Sequence, residues 1–191
     1  MSAAAWIALV LGLVIAGVIF RVKRRELRRR KLRRTPFSAE QEKLVGENFP
    51  LFRRLPGPLK KELLGHMRVF LDEKNFEGCG GLVLTEAIRL TIAAQACLLL
   101  LNRRHDYYPR LVSILVYPGS YRAKGREDGQ VVDDEDESLG ESWAEGVVVL
   151  AWDSVRHGGG EEEGGGCVAL HEFAHQLDQE DGYGDDGVPI L

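Results

Sequence analysis

The hydrophobic pattern opens with eighteen residues that carry no charge, from Ala3 to Phe20. As a helix this segment would measure about 27 Å, close to the roughly 30 Å hydrocarbon core of a bilayer. A cleaved signal peptide begins with positive charge, and the residues before this run have none. We therefore expect residues 1–20 to form one transmembrane anchor, with residues 3–20 inside the membrane.

Residues 21–34 then change the pattern, with ten Lys or Arg and one Glu. Their net charge of +9, in a chain of net charge −4, leaves −13 on the remainder. Because basic flanks stay on the cytoplasmic side, we expect a juxtamembrane segment and a cytoplasmic domain anchored to the bacterial inner membrane. The run could also contact anionic lipid or bind nucleic acid. Its position beside the apolar segment favours lipid, and without interleaved aromatic residues we expect no nucleic-acid partner.

Helical periodicity dominates the next part of the chain. Ser38 with Gln41 three residues later has the pattern of a capping box. Residues 58–75 predict an amphipathic helix, because apolar residues recur at three- and four-residue steps. That apolar stripe consists of Leu59, Leu63, Met67 and Phe70. Thr85 is a candidate N-cap for residues 84–102, which predict a central buried helix because their apolar face is too broad for a surface helix.

Two short runs rich in β-branched residues, 110–118 and 146–152, predict strands. Between them, residues 127–137 hold seven acidic residues without the spacing of a calcium loop, so we expect a solvated loop. The glycines of residues 156–166 indicate a linker into the last predicted helix. This order of elements indicates an α+β domain over residues 35–191, with helices packed on one face of a small sheet.

The segment CVALHEFAHQLDQ, residues 167–179, carries the candidate chemistry. On a helix, His171 and His175 share a face, so their imidazole nitrogens can bind one metal ion. Glu172 stands where a carboxylate can take a proton from water activated by that ion. Chance would produce this pattern about 0.01 times in a chain of this composition. We therefore predict the H-E-x-x-H arrangement of zinc peptidases, with two zinc ligands and Glu172 as the catalytic residue.

A catalytic zinc site needs a third protein ligand. Asp181 stands at the metzincin spacing, but that pattern requires glycine at the position of Asp178. Asp178 would lie a helical turn from the metal, where it is better placed to orient a histidine ring. Cys167 precedes the motif and is more consistent with core packing. We expect it to be a free thiol, as are the other two cysteines, Cys79 and Cys97.

The chain also resembles the Mlc titration factor A family of zinc peptidases, from about residue 36 to the end. The resemblance lies in five segments in the family's order: LPGPLKKELLGHMRVFLDEKNFEGCGGL, IRLTIAAQACLLLL, YPGSY, VVLAWDSV and HEFAHQLD. It implies a gluzincin-like, zincin-type metallopeptidase domain in which His171 and His175 bind Zn²⁺ and Glu172 is the general acid/base. It also implies a peptide or protein substrate, aminopeptidase-like activity and a transcriptional regulator as a partner.

Two departures from that family change the expectations. Its cytosolic type member lacks the apolar and basic segments, and its third ligand is a glutamate on a later helix, which we expect beyond residue 191. The chain is therefore expected to be a C-terminally incomplete fragment. Residues 146–152 are expected to pair with an extended substrate. The alternative function is a non-catalytic, membrane-tethered protein that sequesters a regulator such as a transcriptional repressor.

Overall fold

The computed structural model describes residues 2–103, 105–119, 140–143, 146–157 and 168–180. The helices in these ranges are α1 (Ala3–Arg33), α2 (Ala39–Asn48), α3 (Pro50–Arg54), α4 (Gly57–Glu73), α5 (Glu86–Leu98), α6 (Trp152–His157) and α7 (Val168–Glu180). The strands are β1 (Asn75–Gly78), β2 (Ser113–Tyr117), β3 (Gly140–Trp143) and β4 (Val147–Ala151). This mixture of helices and a small sheet confirms the predicted α+β class.

The described strands form one sheet in the order β1-β2-β4-β3. The first three neighbours run parallel, and β3 runs antiparallel to β4. Ile114 of β2 pairs with Phe76 of β1 on one side and with Val148 of β4 on the other. The predicted strands at 110–118 and 146–152 are thus the two inner strands, whose buried β-branched residues made them recognisable.

The two outer strands were not predicted. The helix expected over residues 58–75 ends at Glu73, and the Asn75 N–H donates to the Val112 carbonyl at 3.0 Å instead of continuing the helix. The Lys74 ammonium bonds the carbonyls of Tyr108 and Leu111 at 2.6 and 2.7 Å. These bonds hold the chain beside the sheet, where β1 pairs with β2. β3 begins just after residues 127–137, the predicted acidic loop, which lies outside the described residues.

Local capping signals are confirmed. Ser38 and Gln41 form both hydrogen bonds of the capping box, at 3.1 and 3.0 Å. The Thr85 hydroxyl accepts a bond from the Ile88 N–H at the start of α5. α5 is buried from Leu90 to Cys97, as expected of a central helix, although it is shorter than residues 84–102.

α1 is one continuous helix whose second half packs on α4. Gly65 permits the close approach, since a Cβ atom there would lie 3.3 Å from the Arg33 carbonyl oxygen. Arg28 pairs with Asp72 at 2.8 Å, and Arg29 is buried against Glu73. Part of the basic run therefore belongs to the packing of the domain, a role that its composition did not indicate.

The first half of α1 exposes apolar side chains, among them Ile7, Leu13 and Phe20, each about two-thirds exposed. Nonetheless, within the part of the chain that the structure describes, no helix combines the length and apolar character required for crossing a membrane. The transmembrane anchor predicted over residues 1–20 is therefore not confirmed.

Candidate metal centre

Helix α7 is held in place by its apolar face. Phe173 is fully buried, and its ring lies 5.8 Å from that of Phe70 on α4 and 5.5 Å from that of Tyr108. Ala169 and Leu177 are buried on the same face, and α7 contacts α5, β3 and β4. Because this face is anchored in the core, the opposite face of the helix has a defined orientation toward solvent.

The two histidines of the motif occupy that opposite face. The Nε2 atoms of His171 and His175 lie 2.9 Å apart, and both side chains are exposed. Their rings meet edge to face, with centroids 4.4 Å apart. A tetrahedral zinc ion with Zn–N bonds of 2.0–2.1 Å would place two such nitrogens about 3.3 Å apart. A small rotation of either ring reaches that separation, so the pair fits two ligand positions of a zinc ion.

Glu172 differs from the histidines in its environment. Glu172 is 6% exposed, and Gln176, one helical turn later, is 3% exposed. The carboxylate thus lies at the boundary between the polar face of α7 and the core, shielded from bulk water. A polar group fixed in such a place keeps its position during a reaction instead of reorganising with solvent.

A third ligand is not found in the described part of the chain, where no further His, Cys, Asp or Glu completes a group of three. Asp178 is exposed on α7 and does not join the histidines. Asp181 and Cys167 lie outside the described residues. Cys79 and Cys97 are free thiols, and burial raises the pKa of Cys97 well above its usual range.

The expectation that residues 146–152 pair with a substrate is wrong. β4 lies between β2 and β3, so both of its edges already form main-chain hydrogen bonds. Among the described strands, β3 lies at the end of the sheet, and it contacts α7. The order of strands in a sheet is a tertiary property, and the apolar pattern of β4 could not reveal it.

Comparison with known proteins extends this description. Residues 23–191 match the family model described as glucose-regulated metallo-peptidase M90. An uncharacterized protein of Synechocystis sp. is 39% identical over 168 residues, which cover 86% of this chain and 61% of that protein. Proteins named Mlc titration factor A in Yersinia pestis and Yersinia pseudotuberculosis are 28% identical over 147 residues, 75% of this chain and 54% of theirs. The chain thus spans less than two thirds of the length of these curated relatives.

Proposed function

Because the chain belongs to the glucose-regulated metallopeptidase family M90, we propose that it acts as a zinc-dependent peptidase whose site is built on α7. The observation that carries this proposal is the 2.9 Å approach of the His171 and His175 Nε2 atoms on the exposed face of an otherwise buried helix. Paired imidazoles of this kind, with a neighbouring carboxylate, suit a hydrolytic metal centre better than a structural contact.

In the proposed reaction each residue of the motif has a separate role. His171 and His175 hold the zinc, which when bound polarises a carbonyl group and makes water more acidic. Glu172 takes a proton from the attacking water at a carboxylate oxygen and passes it to the nitrogen of the leaving amine. Burial of Phe173 keeps the helix from rotating, so that these three groups retain their mutual positions.

We further propose that an extended peptide substrate adds to the sheet at the outer edge of β3. Strand addition supplies main-chain hydrogen bonds that do not depend on the substrate's sequence. The contact between β3 and α7 supports this choice, because a peptide on that edge would run beside the helix that carries the histidines. The edge strand would then present the scissile bond to Glu172.

The proposal is tested by peptide turnover and by bound metal, measured by native mass spectrometry, in matched variants. Glu172→Gln should retain zinc and lose hydrolysis, whereas His171→Ala and His175→Ala should lose both. Glu40→Gln is the control, because it removes an exposed carboxylate on α2, away from the helix that carries the histidine pair. Turnover that survives Glu172→Gln, or that a chelator does not inhibit, would contradict the mechanism.

A second candidate function is suggested by the name of the Yersinia relatives, Mlc titration factor A. It is the non-catalytic binding of a regulator such as a transcriptional repressor, with the H-E-x-x-H helix serving as structure. In that case histidine substitutions would lower stability, and no peptide would be cleaved with or without zinc. Turnover that a chelator abolishes and zinc restores would exclude it.

We also propose that the first half of α1 holds the domain at the cytoplasmic face of the bacterial inner membrane. The exposed apolar side chains of this half, followed directly by basic residues, support the proposal. Deletion of residues 3–20 should move the protein from the membrane fraction to the soluble fraction. The same distribution between the two fractions for the full chain and for the deletion variant would contradict the proposal.

A further inference from the structure

A groove of about 440 Å³ lies between the end of α1 and the start of α4. The buried ring of Phe37 forms part of its wall, and Glu42 is its one acidic lining residue. Four cationic side chains line it: Arg33, Arg34, Lys60 and Lys61. Four positive charges and one negative charge give the lining a net charge of +3. The groove is thus strongly basic, although the domain that contains it is acidic overall.

These cations are poorly neutralised. The side chains of Arg34 and Lys61 form no hydrogen bond or ion pair with any residue that the structure describes. Lys60 donates to the Arg53 carbonyl at 3.0 Å, and Arg33 lies 3.5 Å from Glu26 and also bonds the Tyr107 side chain. Earlier in α1, by contrast, the arginines that pack on α4 are bound by acidic residues of the domain. Like charges gathered around one cavity repel one another, and a bound anion would relieve that repulsion.

The start of α4 adds main-chain donors to the groove. Gly57, the first residue of this 17-residue helix, lines it, and a Cβ atom there would meet nothing within 4 Å. The N-cap residue is Pro56, whose side chain forms no capping hydrogen bond. Pro58 has no N–H, and the Lys60 N–H bonds the Pro56 carbonyl at 3.0 Å. The first turn therefore offers the N–H groups of Gly57 and Leu59, and these together with the helix dipole favour an anion at this end.

We propose that this groove binds a small phosphate-bearing anion. Arginine presents paired donors that match phosphate oxygens, and lysine adds a compact charge. A net charge of +3 favours a ligand with two or more negative charges over a single carboxylate. The volume suits a small molecule. No lining residue belongs to the metal centre, so this site goes beyond the proposed peptidase function.

The phosphate could come from a free anion or from a lipid headgroup. Phe20 and Arg33 are thirteen residue steps apart on one continuous helix, a distance of about 20 Å along the axis. A bilayer that enclosed the apolar half of an upright α1 would therefore leave the groove beyond its headgroups. Only a helix lying on the membrane surface would bring lipid phosphate to it.

The experiment measures binding of inorganic pyrophosphate to the full chain in zwitterionic detergent by titration calorimetry. The test variant is Arg34→Gln with Lys61→Gln, which breaks no side-chain hydrogen bond or ion pair among the described residues. The control is Lys23→Gln with Arg24→Gln, the same change of charge on α1 outside the groove. We expect the test variant to bind pyrophosphate about tenfold more weakly or worse, and the control to differ by less than about twofold.

A parallel arm uses vesicles of zwitterionic lipid with and without anionic phospholipid. Groove-dependent binding of anionic vesicles but not of pyrophosphate would support phosphate recognition and identify lipid as its source. Equal weakening in the test and control variants would show that only overall charge matters and would overturn the proposal. Absence of binding in both arms would overturn it as well.

Discussion

Arg29 of α1 and Glu73 of α4 form a two-pronged ion pair, with Nε to Oε1 at 2.7 Å and Nη2 to Oε2 at 2.8 Å. The Arg29 guanidinium also bonds Asp106 and lies 4.7 Å from the centre of the Tyr107 ring. Burial alone would lower the pKa of Arg29, but the two carboxylates raise it instead. Burial would likewise raise the pKa of Glu73, and Arg29 holds it below its usual range. The pair is therefore charged on both sides and fixes α1 to the domain.

The first prediction concerns the stability supplied by this pair. Arg29→Ala removes the two-pronged partner of Glu73 and leaves it only the more distant Arg25, at 3.5 Å. We expect a loss of about 3 kcal/mol in the free energy of unfolding. Arg30→Ala is the control, because Arg30 is exposed and, among the described residues, pairs only with Glu26 of its own helix, which is worth about 0.5 kcal/mol or less. Urea unfolding followed by tryptophan fluorescence measures both. Equal losses in the two variants would contradict this account.

The second prediction concerns pH and two histidines near that pair. The His66 Nδ1 atom lies 2.9 Å from the Tyr107 hydroxyl, and the His66 and His105 rings are 4.7 Å apart. Burial is the main cause that lowers the pKa of both, and it lowers the pKa of His105 to about 4, aided by the charges of His66, Arg29, Arg33 and Arg103. Glu62 opposes the shift of His66 without reversing it.

Since the unfolded chain binds these protons near pH 6.5 and the folded chain does not, stability is constant above that pH. It should fall as the pH drops toward 4, by at most roughly 3 kcal/mol for His105. The stabilisation that the charged Glu73 provides is lost only below its ordinary pKa of 4.5. The stability change between pH 7.5 and 5 therefore reports on the histidines and not on Glu73. Urea midpoints at pH 7.5, 6 and 5 measure the slope, and His105→Gln should flatten it. An unchanged slope in that variant would contradict the assignment.

Local features of the fold could be predicted because their causes are local. The capping box of Ser38 and Gln41 and the N-cap Thr85 depend on residues three positions apart. The orientation of α7 follows in the same way, since the spacing of Phe173 and Leu177 dictates which face is buried. The exposed histidine pair was therefore visible in the sequence before any tertiary contact was known.

The remaining features depend on partners far along the chain. Arg29 is 44 residues from Glu73 and 77 from Asp106, and its basic neighbours gave it the appearance of a membrane flank. β1 has only one half-buried side chain, and it exists because β2 pairs with it. A third ligand for the proposed metal site would belong to the same category, because no pattern around His175 indicates which distant residue would complete it.

The third prediction links the core to the proposed metal centre through Phe173. Phe173→Ala removes a fully buried ring from between Phe70 and Tyr108, and we expect a loss of about 3–5 kcal/mol in stability. Phe173→Leu should cost clearly less, because it retains most of the apolar volume. Val83→Ala is the control, since that side chain is 80% exposed. Urea unfolding gives the stability, and native mass spectrometry gives the zinc content, which should fall in the same order as stability among folded molecules.

A loss of zinc without any loss of stability in Phe173→Ala would contradict the view that packing positions the histidines. Full zinc retention in a destabilised but folded variant would also contradict it. In that case His171 and His175 would bind zinc without support from the packing of Phe173 against Phe70 and Tyr108.

The fourth prediction follows from the position of β3 at the edge of the sheet. A peptide paired along β3 would direct every second N–H group toward the strand, because hydrogen-bonding sides alternate in extended chains. Methylation of one substrate nitrogen at a time should therefore raise KM at alternate positions, by about three- to tenfold for each lost hydrogen bond. The intervening positions serve as internal controls within the same peptide. Equal effects at consecutive positions, or none at all, would contradict pairing at β3, and pairing at β4 would require the sheet to open.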